Sequence, residues 1–127
     1  LNEAKEFYKN HPDINISADN EWAFRSACKN GHLEVVKWLL EIKPDINIST
    51  ENEYAFRYAC ENGHLEVAKW LLSIAPYINI GIENNRAFRY SKPIIKKWLA
   101  HYIPYYDANY FRVIQNISYC PGLFDLI

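Results

Sequence analysis

Methionine is absent from this chain, even at position 1, and glycine is scarce, with four in 127 residues. We therefore expect a segment of a longer protein, or a trimmed one. Long apolar runs are missing too. None approaches the roughly 18 residues that a membrane-spanning helix needs, and no signal-peptide pattern opens the chain. Charge of one sign is also lacking. Fourteen Lys and Arg stand against fifteen Asp and Glu, a net charge of −1. Bulk attraction to nucleic acid or to a membrane surface is accordingly not expected. Cysteine is limited to Cys28, Cys60 and Cys120, an odd number. Hydrophobic residues, in contrast, make up half of the chain, which is enough for one domain with a core and too many for disorder.

What is present is a repeat. The run from Asn52 to Asn79 has a near copy from Asn20 to Asn47, with Gly31 and Gly63, Trp38 and Trp70, and Pro44 and Pro76 each 32 positions apart. A constant period of this size marks stacked helical units that bury their apolar faces only against one another. Each unit opens on a short finger, Ile14-Asn15-Ile16, Ile46-Asn47-Ile48 and Ile78-Asn79-Ile80, which the alternation predicts as an extended arm and turn. Asn20 or a neighbour is placed to N-cap a first helix, roughly 21–29, with Ala23, Phe24, Ala27 and Cys28 on its buried face. Asn30-Gly31 ends that helix, and Leu33, Val36, Leu39 and Leu40 form the stripe of its antiparallel partner.

The boundaries follow from the same register. Residues 1–13 match the second helix of a unit that has no first helix, with Leu1 falling on Leu33 and Pro12 on Pro44. Full units are expected at 14–45, 46–77 and 78–105, a degenerate cap at 106–115, and a tail at 116–127. The third unit loses four residues, since Trp70 to Trp98 is only 28, and Ser91-Lys92-Pro93 replaces the Asn-Gly turn. Proline is tolerated in the first turn of the short helix, 94–101, that follows.

The runs Ala27-Cys28-Lys29-Asn30-Gly31-His32-Leu33-Glu34-Val35-Val36-Lys37-Trp38-Leu39-Leu40 and Ala59 to Leu72 resemble the ankyrin repeat. They correspond to its alanine-rich first helix, its Gly-His turn and its leucine-paired second helix. The resemblance covers residues 1–115 and implies an all-α solenoid of helix–turn–helix units with finger loops and capping half units. Some positions depart from it. The family's Thr-Pro-Leu-His opening is Trp22-Ala23-Phe24-Arg25 here, then Tyr54-Ala55-Phe56-Arg57 and Arg86-Ala87-Phe88-Arg89. Arg25, Arg57 and Arg89 are expected to replace the missing threonine and histidine bonds by holding finger carbonyls of a neighbouring unit. The phenylalanine–arginine helices and Ile-Asn-Ile-Ser fingers are similar to those of ankyrin proteins expanded in giant DNA viruses.

The resemblance implies a non-catalytic module that binds a partner protein through a concave face of fingers and first helices. The chain is expected to be a monomer, without nucleic acid, membrane or cofactor. A reducing compartment is expected, the cytoplasm (a host's, if the protein is viral), since Cys28 and Cys60 sit a repeat apart and a disulfide needs Cα atoms within about 7 Å. The positions that change between units while the rest repeats are Asp19, Trp22 and Lys29, then Thr50, Glu51, Tyr54 and Glu61, then Glu83 and Arg86. These nine are the candidate partner-binding residues, and aromatic and arginine side chains are the ones that most often anchor protein interfaces. Alternatives are a structural spacer within a longer array, or an adaptor presenting a host protein to ubiquitin ligation.

Other motifs carry less. Cys28 with His32, and Cys60 with His64, straddle a helix end, and a structural zinc needs four convergent ligands. The same pairs lack the third group and the oxyanion donors of a cysteine nucleophile, so no enzyme activity is expected. Trp38, Trp70 and Trp98 suit a core stripe better than a ligand ladder. The Asn-Ile-Ser triplets at Asn15, Asn47 and Asn116 have no meaning as glycosylation sites in a chain that is not secreted. The tail aromatics, Tyr110, Phe111, Tyr119 and Phe124 among them, suit a cap over the end of the stack.

Overall fold

Apolar stripes separated by Asn-Gly turns fold the chain into antiparallel helix pairs. The computed structural model describes residues 1–100. Among them are seven α-helices: α1 (Asn2–Asn10), α2 (Ala18–Lys29), α3 (Leu33–Ile42), α4 (Thr50–Glu61), α5 (Leu65–Ile74), α6 (Ile82–Tyr90) and α7 (Pro93–Leu99). Within units, α2 packs on α3, α4 on α5 and α6 on α7, while α4 stacks between α2 and α6. The expected end of the last helix near His101, the cap at 106–115, the tail at 116–127 and Cys120 lie outside the described residues.

The core runs through the stack as one seam. Phe24, Phe56 and Phe88 are buried at the same unit position, as are the finger residues Ile46, Ile48, Ile78 and Ile80. Ala55 and Ala87 have no exposed surface, because their small side chains let α2, α4 and α6 approach one another closely. Ala23, expected on the same buried face, is exposed. No first helix packs on that side of α2 among the described residues. The three tryptophans of the second helices, Trp38, Trp70 and Trp98, are half-buried against the core.

Glycine ends the first helix of the first two full units, and at Gly31 it is required on two grounds. Gly31 and Gly63 have φ of +75° and +80°, where a side chain is strained. A Cβ on Gly31 would also lie 2.4 Å from the His64 ring, which packs over it from the next unit. On Gly63 the nearest obstacle is Lys92 Cγ at 3.0 Å, part of a side chain that can move. Both changes to alanine carry the left-handed penalty of about 1–2 kcal/mol. We expect Gly31→Ala to lower the urea midpoint measurably more than Gly63→Ala. Equal losses would show that the histidine yields freely.

The fingers depart from the expected extended arm. Ile14 N–H donates to the His11 carbonyl and Ala18 N–H to that of Asn15, so the segment is a succession of turns. The Asn15, Asn47 and Asn79 side-chain oxygens each accept the N–H two residues on, closing an Asx turn. The first helices then begin with three consecutive left-handed residues: Asp19-Asn20-Glu21, Glu51-Asn52-Glu53 and Glu83-Asn84-Asn85, all with φ between 52° and 64°. Asn20 therefore does not N-cap α2. Its side-chain N–H₂ instead donates to Glu51 of the next unit, at 2.9 Å.

Candidate protein-binding surface

The left-handed turns place the exposed side of the first helices, and an arginine holds each turn. Arg25 Nε donates to the Asn20 carbonyl and Nη2 to that of Asp19, both at 2.9 Å. Arg57 does the same to Asn52 at 2.8 Å and Glu51 at 3.4 Å, and Arg89 to Asn84 and Glu83. This corrects the expectation from the sequence. The arginines bond carbonyls of their own unit, not of a neighbour, because the left-handed turn folds back over the same helix. The bond to a neighbour is made by glutamate. Buried Glu21 accepts the Asn47 N–H of the next finger at 2.7 Å, and Glu53 accepts that of Asn79 at the same distance.

Pinned in this way, the arginines present their guanidinium faces to aromatic rings. Arg25 lies 5.2 Å from the Trp22 ring centre and 4.6 Å from that of Tyr54 in the next unit. Tyr54 stacks on Tyr58 with ring centres 4.2 Å apart. Lys29 and Arg57 both lie over Tyr58, and Arg86 and Arg89 over Tyr90. Such contacts contribute roughly 0.5–1 kcal/mol each where exposed and more where desolvated. Carboxylates link the second and third units: Arg86 Nε donates to Glu61 at 3.2 Å, and Glu83 lies 3.6 Å from Arg86 and 3.7 Å from Arg57. The Glu61 bond stabilises the charged form of the Arg86 guanidinium and pushes its pKa up.

Six of the nine sequence-predicted residues, Trp22, Lys29, Tyr54, Glu61, Glu83 and Arg86, thus lie in one connected network across α2, α4 and α6. Glu51 joins it through Asn20. Asp19 joins through its backbone carbonyl alone, with its carboxylate facing solvent. Thr50 stands apart, half-buried at the start of α4. The sequence reading missed Tyr58 and Tyr90. Both occupy the unit position of Ser26, and that change between units was the signal. It also missed Arg25 and Arg57 as links between rings, since their invariance marked them as frame.

In the cysteine–histidine pairs the cysteines belong to the core, whereas His32 is exposed. Cys28 and Cys60 are fully buried and unbridged. Burial pushes both thiols up, with Glu61 adding to the shift at Cys60. A desolvated, protonated thiol is a poor nucleophile and a poor metal ligand. No group of three or more potential metal-binding side chains converges among the described residues. No described helix is long and apolar enough to cross a membrane.

Comparison with known proteins agrees with this architecture. Residues 24–72 match the family model for ankyrin repeats present in many copies. A solved ankyrin repeat family protein from Legionella pneumophila is 36% identical, with a TM-score of 0.51 over 82% of this chain. The chain spans 28% of the length of that protein. No curated protein matches it. The stacked helix pairs, the Gly-His turns and these two likenesses together identify the fold as an all-α ankyrin-repeat solenoid, with residues 24–72 carrying its ankyrin repeats.

Proposed function

We propose that this chain is a non-catalytic recognition module that binds a partner protein through the concave face formed by its fingers and first helices. Ankyrin repeats generally mediate protein–protein interaction, and the network of rings and arginines supports that reading here. It spans three units on helices that are packed together, so its side chains are ordered before a partner arrives and binding loses little side-chain entropy. Trp22 and Tyr90 are 51% and 58% exposed within it, large rings held by arginines at their edge of the network. Most of its cations already face rings or carboxylates, which favours a protein partner over a polyanion. The similarity to viral arrays rests on the phenylalanine–arginine helices and the Ile-Asn-Ile-Ser fingers, and the recognition reading depends on no particular source.

A double variant, Trp22→Ala with Tyr90→Ala, removes the two exposed rings and leaves the turn-holding arginines in place. Its melt should stay cooperative and close to wild type. In a pull-down followed by titration with the purified captured protein, its affinity should fall at least ~100-fold, the loss typical of two interface anchors. Undiminished affinity with an intact melt would move the binding site off this face.

A further inference from the structure

Five buried side-chain oxygens have no hydrogen-bond partner among the described residues, and they fall on two positions of the repeat. Ser17 Oγ and Ser49 Oγ occupy one position. Glu21 Oε1, Glu53 Oε1 and Asn85 Oδ1 occupy the other, one helical turn on. Each serine shares its turn with its glutamate. The Glu21 N–H donates to the Ser17 carbonyl at 3.2 Å, and the Glu53 N–H to that of Ser49 at 3.1 Å. Serine at the start of a helix ordinarily caps it by accepting an N–H of the first turn. Ser17 and Ser49 hold that place and make no cap bond. The first turn is left-handed, so its N–H groups are not set as a cap requires. The glutamates are fixed from the other side. Glu21 is 7% exposed and Glu53 5%, and in each Oε2 accepts the N–H of the next finger's asparagine at 2.7 Å. That bond holds the carboxylate at the seam between units and uses one of its two oxygens.

A hydroxyl shut off from solvent needs an acceptor for its proton, and a buried carboxylate oxygen needs a donor. The serine and glutamate oxygens are not bonded to each other. Such groups are costly to leave unpaired, and folded proteins commonly satisfy them with an ordered water that has two to four polar partners. We propose that each of the first two full units holds one buried water between its serine hydroxyl and its glutamate carboxylate, at the seam with the next unit. The water accepts the hydroxyl proton and donates one of its own to Oε1, so one molecule satisfies both atoms. Hydrogen bonds then run without a break from Ser17 through Glu21 to Asn47, and from Ser49 through Glu53 to Asn79. A divalent cation is the wrong occupant. Calcium takes about six to eight oxygens and magnesium keeps several waters around it. No group of three or more metal-binding side chains converges here or elsewhere among the described residues. The third unit supports the pairing. Gly81 and Asn85 stand at its two positions, with the Asn85 N–H donating to the Gly81 carbonyl at 3.0 Å. The hydroxyl and the carboxylate are therefore replaced together.

The test is a crystal structure of the full chain that shows ordered water, with magnetic relaxation dispersion of the water oxygen in solution beside it. In the crystal, one water oxygen should lie about 2.5–3.0 Å from both the serine Oγ and the glutamate Oε1 in each of the two units. The relaxation measurement counts slowly exchanging water oxygens and is blind to exchange of hydroxyl protons. In Ser49→Ala the water keeps only one of its two partners and exchanges quickly. The count should fall by one there, and by two when Ser17→Ala is added, with the melt still cooperative. Ser91→Ala is the control, because that buried hydroxyl already donates to the Ala87 carbonyl. It should leave the count unchanged. A direct bond between the serine and glutamate oxygens in the crystal would overturn the proposal. A metal cation in place of the water would do the same, as would water in one unit and not the other. An unchanged count in a folded double variant is equally fatal. If the serine variants do not fold, the wild-type crystal decides by itself, since a water either bridges the two atoms or does not.

Discussion

Phe56→Ala removes the cooperative melt of this chain. Phe56 is 1% exposed at the centre of the stack, with its ring 6.4 Å from that of Trp98. Truncating a buried phenylalanine costs about 3–5 kcal/mol, through lost transfer energy and the cavity left behind. A small domain has only about 5–15 kcal/mol in total. In a solenoid the loss does not stay local. The central unit has an interface on either side, and a unit that opens uncovers both neighbours. The expected far-UV melt is broad and begins near room temperature. Trp22→Ala, on the exposed side of α2, should melt close to wild type in parallel. A sharp Phe56→Ala transition within a few degrees of wild type would mean that the units fold independently of their central seam.

Arg57→Ala should have the next largest effect, for a reason that packing does not supply. Glu51, Asn52 and Glu53 are all left-handed, with φ of 57°, 54° and 59°. At roughly 1–2 kcal/mol per residue, that turn costs about 3–6 kcal/mol if nothing offsets it. Arg57 offsets it with two charge-assisted hydrogen bonds to the turn's own carbonyls. It is 6% exposed, lies 3.7 Å from the Glu83 carboxylate and packs on Tyr58. Removing the guanidinium leaves those turn carbonyls without their donor, and a hydrogen bond to a charged group contributes about 1.5–3 kcal/mol. Arg57→Lys should recover less than half of the loss, because an ammonium cannot present the two donors of the planar fork. Arg89→Ala should cost least of the three arginines, since Arg89 is the most exposed of them. Urea denaturation of the set decides the matter. Arg57→Lys at wild-type stability, or Arg89→Ala as damaging as Arg57→Ala, would remove the arginine from its role as the clamp of the turn.

The period of 32 was sufficient for the helix pairs, their order and most of the buried side chains. The reason is that burial patterns and glycine requirements are nearly local properties. Phe24 and Cys28 on α2, and Val36 and Leu39 on α3, are buried because helical spacing puts each pair on the apolar stripe of its helix, and Gly31 is glycine because its own φ is positive. Ala23 followed the same stripe and is exposed, since burial also needs a neighbour to press against.

The polar bonds were settled differently. An arginine four residues into a helix has many carbonyls within reach, and its choice depends on where the preceding turn lies. The left-handed run was not legible, because Asp-Asn-Glu is an unremarkable triplet and three such residues in succession are stable only when a clamp and a neighbour hold them. Tertiary structure therefore assigned Arg25, Arg57 and Arg89 to their own turns, and Glu21 and Glu53 to the next finger. It alone joined Tyr54 to Arg25 and Tyr58 to Lys29, because a ring and a cation on different units meet only once the distance between units is set. The sequence was enough for the repeating frame, since each unit carries its own pattern. The surface between units was decided by stacking, since no unit contains it.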